Sequence, residues 1–276
     1  MGIIKRGLLI VACVLLFISF LAGNFFSTLY LSLSYDNIQP ALNESLTLLA
    51  EQTNFLSLIQ EKQPFAEEHC KNYTDYVFKE DTFGYVFVIP CNLISETPGF
   101  LLEYNIEKFI HDIYYKDYSC SMWGCFKEMG TPFFMISEKF RNYWRGKFYF
   151  AMILSTILFI LIFFLVEKKT NSFLIAGILL VVSTIPFVRL DFIIGLFIRP
   201  LIYLLGLSEV YNFPSSELAR ILYIFFTKAN MVFLIFLFIG LGIILVGIIL
   251  KFFAAGFKIS ELFSRFSKKS SLKQSK

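Results

Sequence analysis

The stretch GLLIVACVLLFISFLAGNFFSTLYLSLSY, residues 7–35, runs for 29 residues without an Asp, Glu, Lys or Arg. A helix of that length is more than enough to cross the roughly 30 Å hydrocarbon core of a bilayer. Uncharged runs recur at residues 148–166, 170–188 and 229–250, of 19, 19 and 22 residues. Four membrane-spanning helices are therefore expected. The first run follows Lys5-Arg6 and passes Ala22-Gly23, as a cleaved signal peptide would. It exceeds the usual h-region length, so an uncleaved helix is the expectation. Position 6, where a myristoylation signal wants Ser or Thr, holds Arg6.

Composition agrees. The chain is 57% hydrophobic and 17% charged, with a mean hydropathy of +0.66. Those values exclude a soluble enzyme and a disordered chain, and the spans leave no room for a large soluble catalytic domain. Charge is partitioned: residues 34–146 hold sixteen acidic against nine basic side chains, and the remainder five against sixteen. An acidic insert sits in a basic, membrane-embedded frame. No folded soluble domain offers a basic face, so no nucleic-acid partner is expected.

A fifth apolar stretch, residues 192–208, is broken by Arg199-Pro200 and reads as re-entrant or interfacial. Counting basic residues near the spans puts eleven on one side (Lys5, Arg6, Lys168, Lys169 and seven after residue 250) against eight on the other. The richer side should be cytoplasmic, with both termini inside and the acidic insert outside a plasma membrane. A five-span reading would place the basic tail outside, against that rule. Tyr30, Tyr35, Tyr143, Trp144 and Tyr149 suit an aromatic belt at the outer ends of the first two spans.

Cys13 lies in the first span, while Cys70, Cys91, Cys120 and Cys125 all fall in the insert. On an oxidising face an even set of four reads as two disulfides, which compensate for a small core. Three pairings exist; proximity favours Cys70 with Cys91 and Cys120 with Cys125, but spacing does not decide it. A zinc site using His69 and His111 is the alternative, and its spacing fits no zinc pattern, so no metal and no cofactor are expected. Asn43 and Asn72 begin acceptor sequons, Asn43-Glu44-Ser45 and Asn72-Tyr73-Thr74. Pro40 suits a first helical turn, and Leu42, Leu46, Leu49, Thr53 and Leu56 keep a helical spacing beyond it. A short strand is read at residues 85–89. Ile106, Phe109, Ile110 and Ile113 form a further apolar stripe, read as core.

Tyr114-Tyr115, Cys120-Ser121-Met122-Trp123-Gly124-Cys125-Phe126, Pro132-Phe133-Phe134, Ser137-Glu138-Lys139 and Tyr143-Trp144 carry a resemblance. Over residues 5–200 the chain resembles a group of uncharacterised archaeal multi-span membrane proteins with a cysteine-bearing extracytoplasmic loop. The resemblance rests on aromatic and cysteine placement. It implies an archaeal-type plasma membrane and the same layout, and it brings no activity.

Between the third and fourth uncharged runs, Arg189, Asp191, Arg199, Glu209, Glu217, Arg220 and Lys228 punctuate apolar sequence. Charges near membrane depth are candidates for a polar site, so Arg189, Asp191, Arg199, Glu217, Arg220 and Lys228 are carried forward as one. The plainer reading has them marking the interface, snorkelling or starting a helix. Pro214-Ser215-Ser216-Glu217 looks like a helix start, and the pattern from there to about Phe253 suggests one long helix able to transmit motion between outer domain and tail. In the tail, Ile259, Leu262, Phe263 and Phe266 share a helical face among lysines, which suits the inner leaflet and anionic lipid.

No HExxH, Walker loop or dinucleotide fingerprint is present, Asp191 has no partner Asp in a span, and adjacent His111-Asp112 point apart on a helix. The fold class expected is an all-α integral membrane protein: four transmembrane helices, a re-entrant or interfacial segment, and a mostly helical, disulfide-stapled extracytoplasmic domain between helices 1 and 2. Its parts are residues 7–35, 36–146, 148–166, 170–188, 189–228, 229–250 and the basic tail 251–276. The expected function is non-enzymatic: the outer domain binds an unknown protein partner, envelope component or signal, and the helices anchor it in lipid. The alternative is a homo-oligomeric channel or transporter subunit with residues 189–228 lining a path; no internal repeat supports an inverted-repeat transporter.

Overall fold

A computed structural model of the chain describes residues 3–52, 55–80, 85–120, 124–125, 132–188 and 224–273. The protein is mostly helical, with four helices long and apolar enough to cross a membrane: Ile3–Ser32, Glu138–Leu165, Lys169–Phe187 and Ala229–Phe253. We label the elements α1 (Ile3–Ser32), α2 (Tyr35–Gln52), α3 (Phe55–His69), β1 (Asp75–Glu80), β2 (Tyr85–Pro90), α4 (Pro98–Tyr115), α5 (Glu138–Leu165), α6 (Lys169–Thr184) and α7 (Ala229–Lys273). Short 3-10 turns lie at Cys91–Leu93, Pro132–Ile136 and Ile185–Phe187. The described residues form two compact units. One draws on Met1–Thr28, Arg145–Leu190 and Lys228–Lys276, the other on Leu29–Trp144 and Asp191–Thr227.

In the first unit Ala12 and Leu16 of α1 meet Leu158 and Ile162 of α5 and Ala176 of α6, with Val166 completing a buried cluster. Lipid gives no hydrophobic drive between helices, so close backbone approach and interhelical hydrogen bonds must hold such a bundle. Both are present. Gly247 lies against Leu174, Gly177 against Ile244 and Gly240, and Gly240 against Val181, so α6 and α7 run antiparallel. A Cβ on Gly177 would stand 2.6 Å from Ile244 Cγ1 and 2.9 Å from Gly240 O, so only glycine permits this crossing. The Ser19 hydroxyl donates to Ala151 O at 3.0 Å and lies 2.9 Å from Ser155 Oγ, tying α1 to α5. Asn24 Nδ2 donates to Ser183 Oγ at 3.2 Å, tying α1 to α6.

In the second unit α2, α3 and α4 pack together over a two-stranded antiparallel sheet in which Asp75 pairs with Pro90 and Glu80 with Tyr85. Leu42, Ile38, Phe55, Ile59 and the α4 stripe Ile106, Phe109, Ile110 and Ile113 are buried, as is Leu101. The stripe therefore is core. Thr97 caps α4, accepting from Phe100 N, with Pro98 in the first turn. Lys139 Nζ donates to Tyr118 O and to Cys120 O, and the Arg141 guanidinium lies 4.9 Å from the centre of the Tyr30 ring.

Several boundaries differ from the expectation. Tyr35 begins α2 instead of ending the first span, because Asn37 Nδ2 donates to Leu31 O at 2.9 Å and to Ser34 Oγ, closing α1 there. Pro40 consequently sits inside α2, beyond its first turn. The stripe running from Leu42 does not extend to Leu56, which is exposed in α3 while Phe55 and Ile59 take the core; Thr53 lies outside the described residues. Helix α5 starts ten residues before residue 148, at Glu138. The strand read at residues 85–89 is β2, and its partner β1 is an unanticipated addition to an otherwise helical domain. Of the long helix expected from Ser215 to Phe253, residues 215–223 lie outside the described residues; beyond them Phe225–Lys228 is a turn, and α7 starts at Ala229. There the Thr227 hydroxyl and N–H both bond Ile224 O, which diverts the backbone from a helical ladder. From Ala229, α7 continues through the tail to Lys273.

Candidate functional site

The cysteines of the second unit are brought together as Cys70–Cys91 and Cys120–Cys125, with Cα separations of 5.3 and 5.2 Å. Cys13 is free. The first pair ties the end of α3 to the 3-10 turn after β2. Cys91 N also donates to Thr74 O at 2.9 Å, so the hairpin is closed twice at its open end.

Helix α4 carries an asparagine where its apolar face predicts a hydrocarbon. Asn105 is 3% exposed. Its Nδ2 donates to Leu101 O at 2.6 Å. Only the amino end can donate to a carbonyl, so Oδ1 is the end left over, and no donor among the described residues reaches it. Two apolar crevices meet at this residue, and both are also lined by Phe55. One runs past Phe78 and Ile89 to a mouth at Lys62, Gln63 and Tyr76; the other passes Leu46, Leu102 and Phe109. Each measures about 20 Å³, room for roughly one water-sized group. The Gln63 side chain is fixed at the mouth by bonds to Ile94 O at 2.8 Å and Glu96 O at 3.1 Å. A buried, unpaired carbonyl oxygen is unfavourable by itself and favours any bound species that presents an N–H or O–H. Sequence reading missed Asn105. The available signal was a polar residue between Leu101, Leu102 and Ile106 on a helical apolar face.

Tyrosines shape the other end of α4. The Tyr114 phenol donates to Leu33 O at 3.0 Å, and the rings of Tyr35, Tyr114 and Tyr115 cluster with His111. Burial pushes the Tyr114 phenol up, with Arg141 opposing, and burial also raises Tyr35 and Tyr118. His111 Nδ1 lies 3.6 Å from Asp112 Oδ1, too long for the hydrogen bond that orients a catalytic imidazole. His69 stacks on Tyr73 at 4.3 Å.

Of the charged residues that the sequence offers as a polar site, Arg189, Asp191, Arg199, Glu217 and Arg220 lie outside the described residues. Lys228 lies in the turn before α7, where its carbonyl accepts from Val232 N at 3.0 Å. Of the two sequon asparagines, Asn43 lies within α2 and Asn72 in the turn between α3 and β1. No family model, curated protein or solved structure matches the chain.

Proposed function

We propose that this is a non-enzymatic membrane protein whose disulfide-bearing domain lies on the extracytoplasmic side of the plasma membrane and binds a partner, an envelope component or a signal. The four apolar helices anchor that domain. One observation carries the binding reading: among the described residues no donor reaches the Asn105 carbonyl oxygen, which lies at the meeting point of two apolar crevices. Crevices of one-water size suit the tip of a larger species better than a whole metabolite, which would need a pocket many times that volume. The recognised group is a small hydrogen-bond donor entering past Lys62, Gln63 and Tyr76.

The test is photo-crosslinking from p-benzoylphenylalanine placed at Tyr76 in native membranes. A discrete adduct should form and should fall about tenfold in Asn105→Leu, matching the loss of one hydrogen bond to a buried group. The same variant should melt at the same temperature or higher. An adduct indifferent to Asn105→Leu, or no adduct at all, would sink the reading.

A second reading, an oligomeric channel or transporter subunit, is favoured by Asn24. That residue is fully buried in the helical bundle, and no donor among the described residues reaches its Oδ1. Native mass in lipid nanodiscs separates the two. A ring of four or more copies would put the channel first; a monomer or dimer would remove it, because the spans present little that can line water.

A further inference from the structure

The two sequons are alike in sequence and unlike in structure. Asn43 lies within α2, half-buried, with its Oδ1 enclosed. Two positions on, the Ser45 hydroxyl is occupied by a bond to Ala41 O at 3.0 Å, inside the same helix. A glycosylating enzyme must reach the acceptor amide together with the hydroxyl two residues on, and a helix of that kind withholds both. Asn72 lies in a short turn between α3 and β1, where residues 71–74 are all exposed. The turn is held from both sides. Asn72 N donates to His69 O at 3.1 Å, the Tyr73 ring stacks on His69, and Thr74 O accepts from Cys91 N beside the Cys70–Cys91 disulfide. Thr74 is exposed, and among the described residues its hydroxyl donates to Asp75 Oδ2 at 3.0 Å.

We propose that Asn72 is an N-glycosylation site and that Asn43 is not. The inference rests on the extracytoplasmic placement of the domain proposed above. The donor is a lipid-linked oligosaccharide. Asn72 Nδ2 forms a bond to the anomeric carbon and gives up one proton, which ends on the departing lipid phosphate. The bond from that carbon to the phosphate oxygen breaks, and the lipid phosphate leaves with the electron pair. The glycan then covers the turn beside the disulfide and shields the junction of α3 and β1 from proteases.

The experiment is synthesis of the full chain into sealed microsomes that carry the transferase, read by glycopeptide mass spectrometry and by gel mobility before and after glycosidase. Protease added from outside reports the side on which the domain lies. One glycan is expected in the wild-type chain, in Asn43→Gln and in Thr74→Ser, and none in Asn72→Gln or Thr74→Ala. A glycan that persists in Asn72→Gln, or is lost in Asn43→Gln, overturns the assignment. A domain protected from protease but carrying no glycan also overturns it while leaving the orientation standing. A domain digested from outside overturns the orientation, and the assignment with it.

Discussion

Tyr114 shows how one side chain holds two elements together. Its ring is 2% exposed and its hydroxyl donates to Leu33 O, so α4 is fixed to the residue that follows α1. Tyr114→Phe should destabilise the domain by about 1–2 kcal/mol, since it leaves a buried carbonyl without its donor; chemical unfolding in detergent would measure it. The same phenol predicts a pH response. Its folded-state pKa is raised above the unfolded value near 10, so its contribution is complete below about pH 10 and is lost as pH rises through the folded pKa. Melting temperatures from pH 8 upward should fall above that point, and less steeply in Tyr114→Phe. A profile identical in the two proteins would contradict the assignment. Lys139 and Arg141 belong at this scale too. Both count against the inferred orientation in the sequence, yet their charged ends are engaged with Tyr118 O, Cys120 O and the Tyr30 ring.

At the scale of elements, the antiparallel contact of α6 and α7 is set by three glycines. Gly177→Leu should force the pair apart, because its Cβ alone already meets Gly240 O and Ile244 N at 2.9 Å. A loss of about 1–3 kcal/mol is expected, the range for overpacking a tight contact. Gly242→Ala is the internal control: nothing lies within 4 Å of the added Cβ, so stability should stay level or rise slightly. Thermal unfolding of both variants in one detergent decides the matter; a Gly177→Leu protein as stable as Gly242→Ala would show that the close approach at Gly177 does not hold the pair together. The Cys70–Cys91 bond closes a loop across a sequence separation of 21, for which chain entropy predicts about 3 kcal/mol. Cys70→Ser with Cys91→Ser should lower the melting temperature of the domain while the four apolar helices still insert, as carbonate extraction would report.

For the whole molecule, the disulfides and the proposed orientation stand or fall together. Alkylation of protein taken directly from membranes should label one thiol, Cys13, and four further reactive thiols would defeat the oxidising-face argument. The spans were legible in the sequence because the hydrocarbon thickness imposes one length and one composition on every crossing helix. The α4 core stripe was legible because helical periodicity is a local property. Helix ends were less so: the break after Ser32 depends on Asn37 reaching Leu31 O, and the break at 225–228 on Thr227 folding back to Ile224 O.

By itself, then, the sequence determined four apolar helices long enough to cross a membrane, an acidic cysteine-bearing insert and the absence of familiar catalytic motifs, since composition and short-range spacing carry that information. Only the tertiary structure decided which cysteines meet, that Gly177 and Gly240 touch across a 63-residue interval, that Asn105 has an oxygen no donor among the described residues reaches, and that Asn72 is exposed while the Asn43 side-chain carbonyl is enclosed. Each of these is a relation between residues far apart in the chain, or between one residue and the packing around it. Such relations come into being only when the elements are brought together.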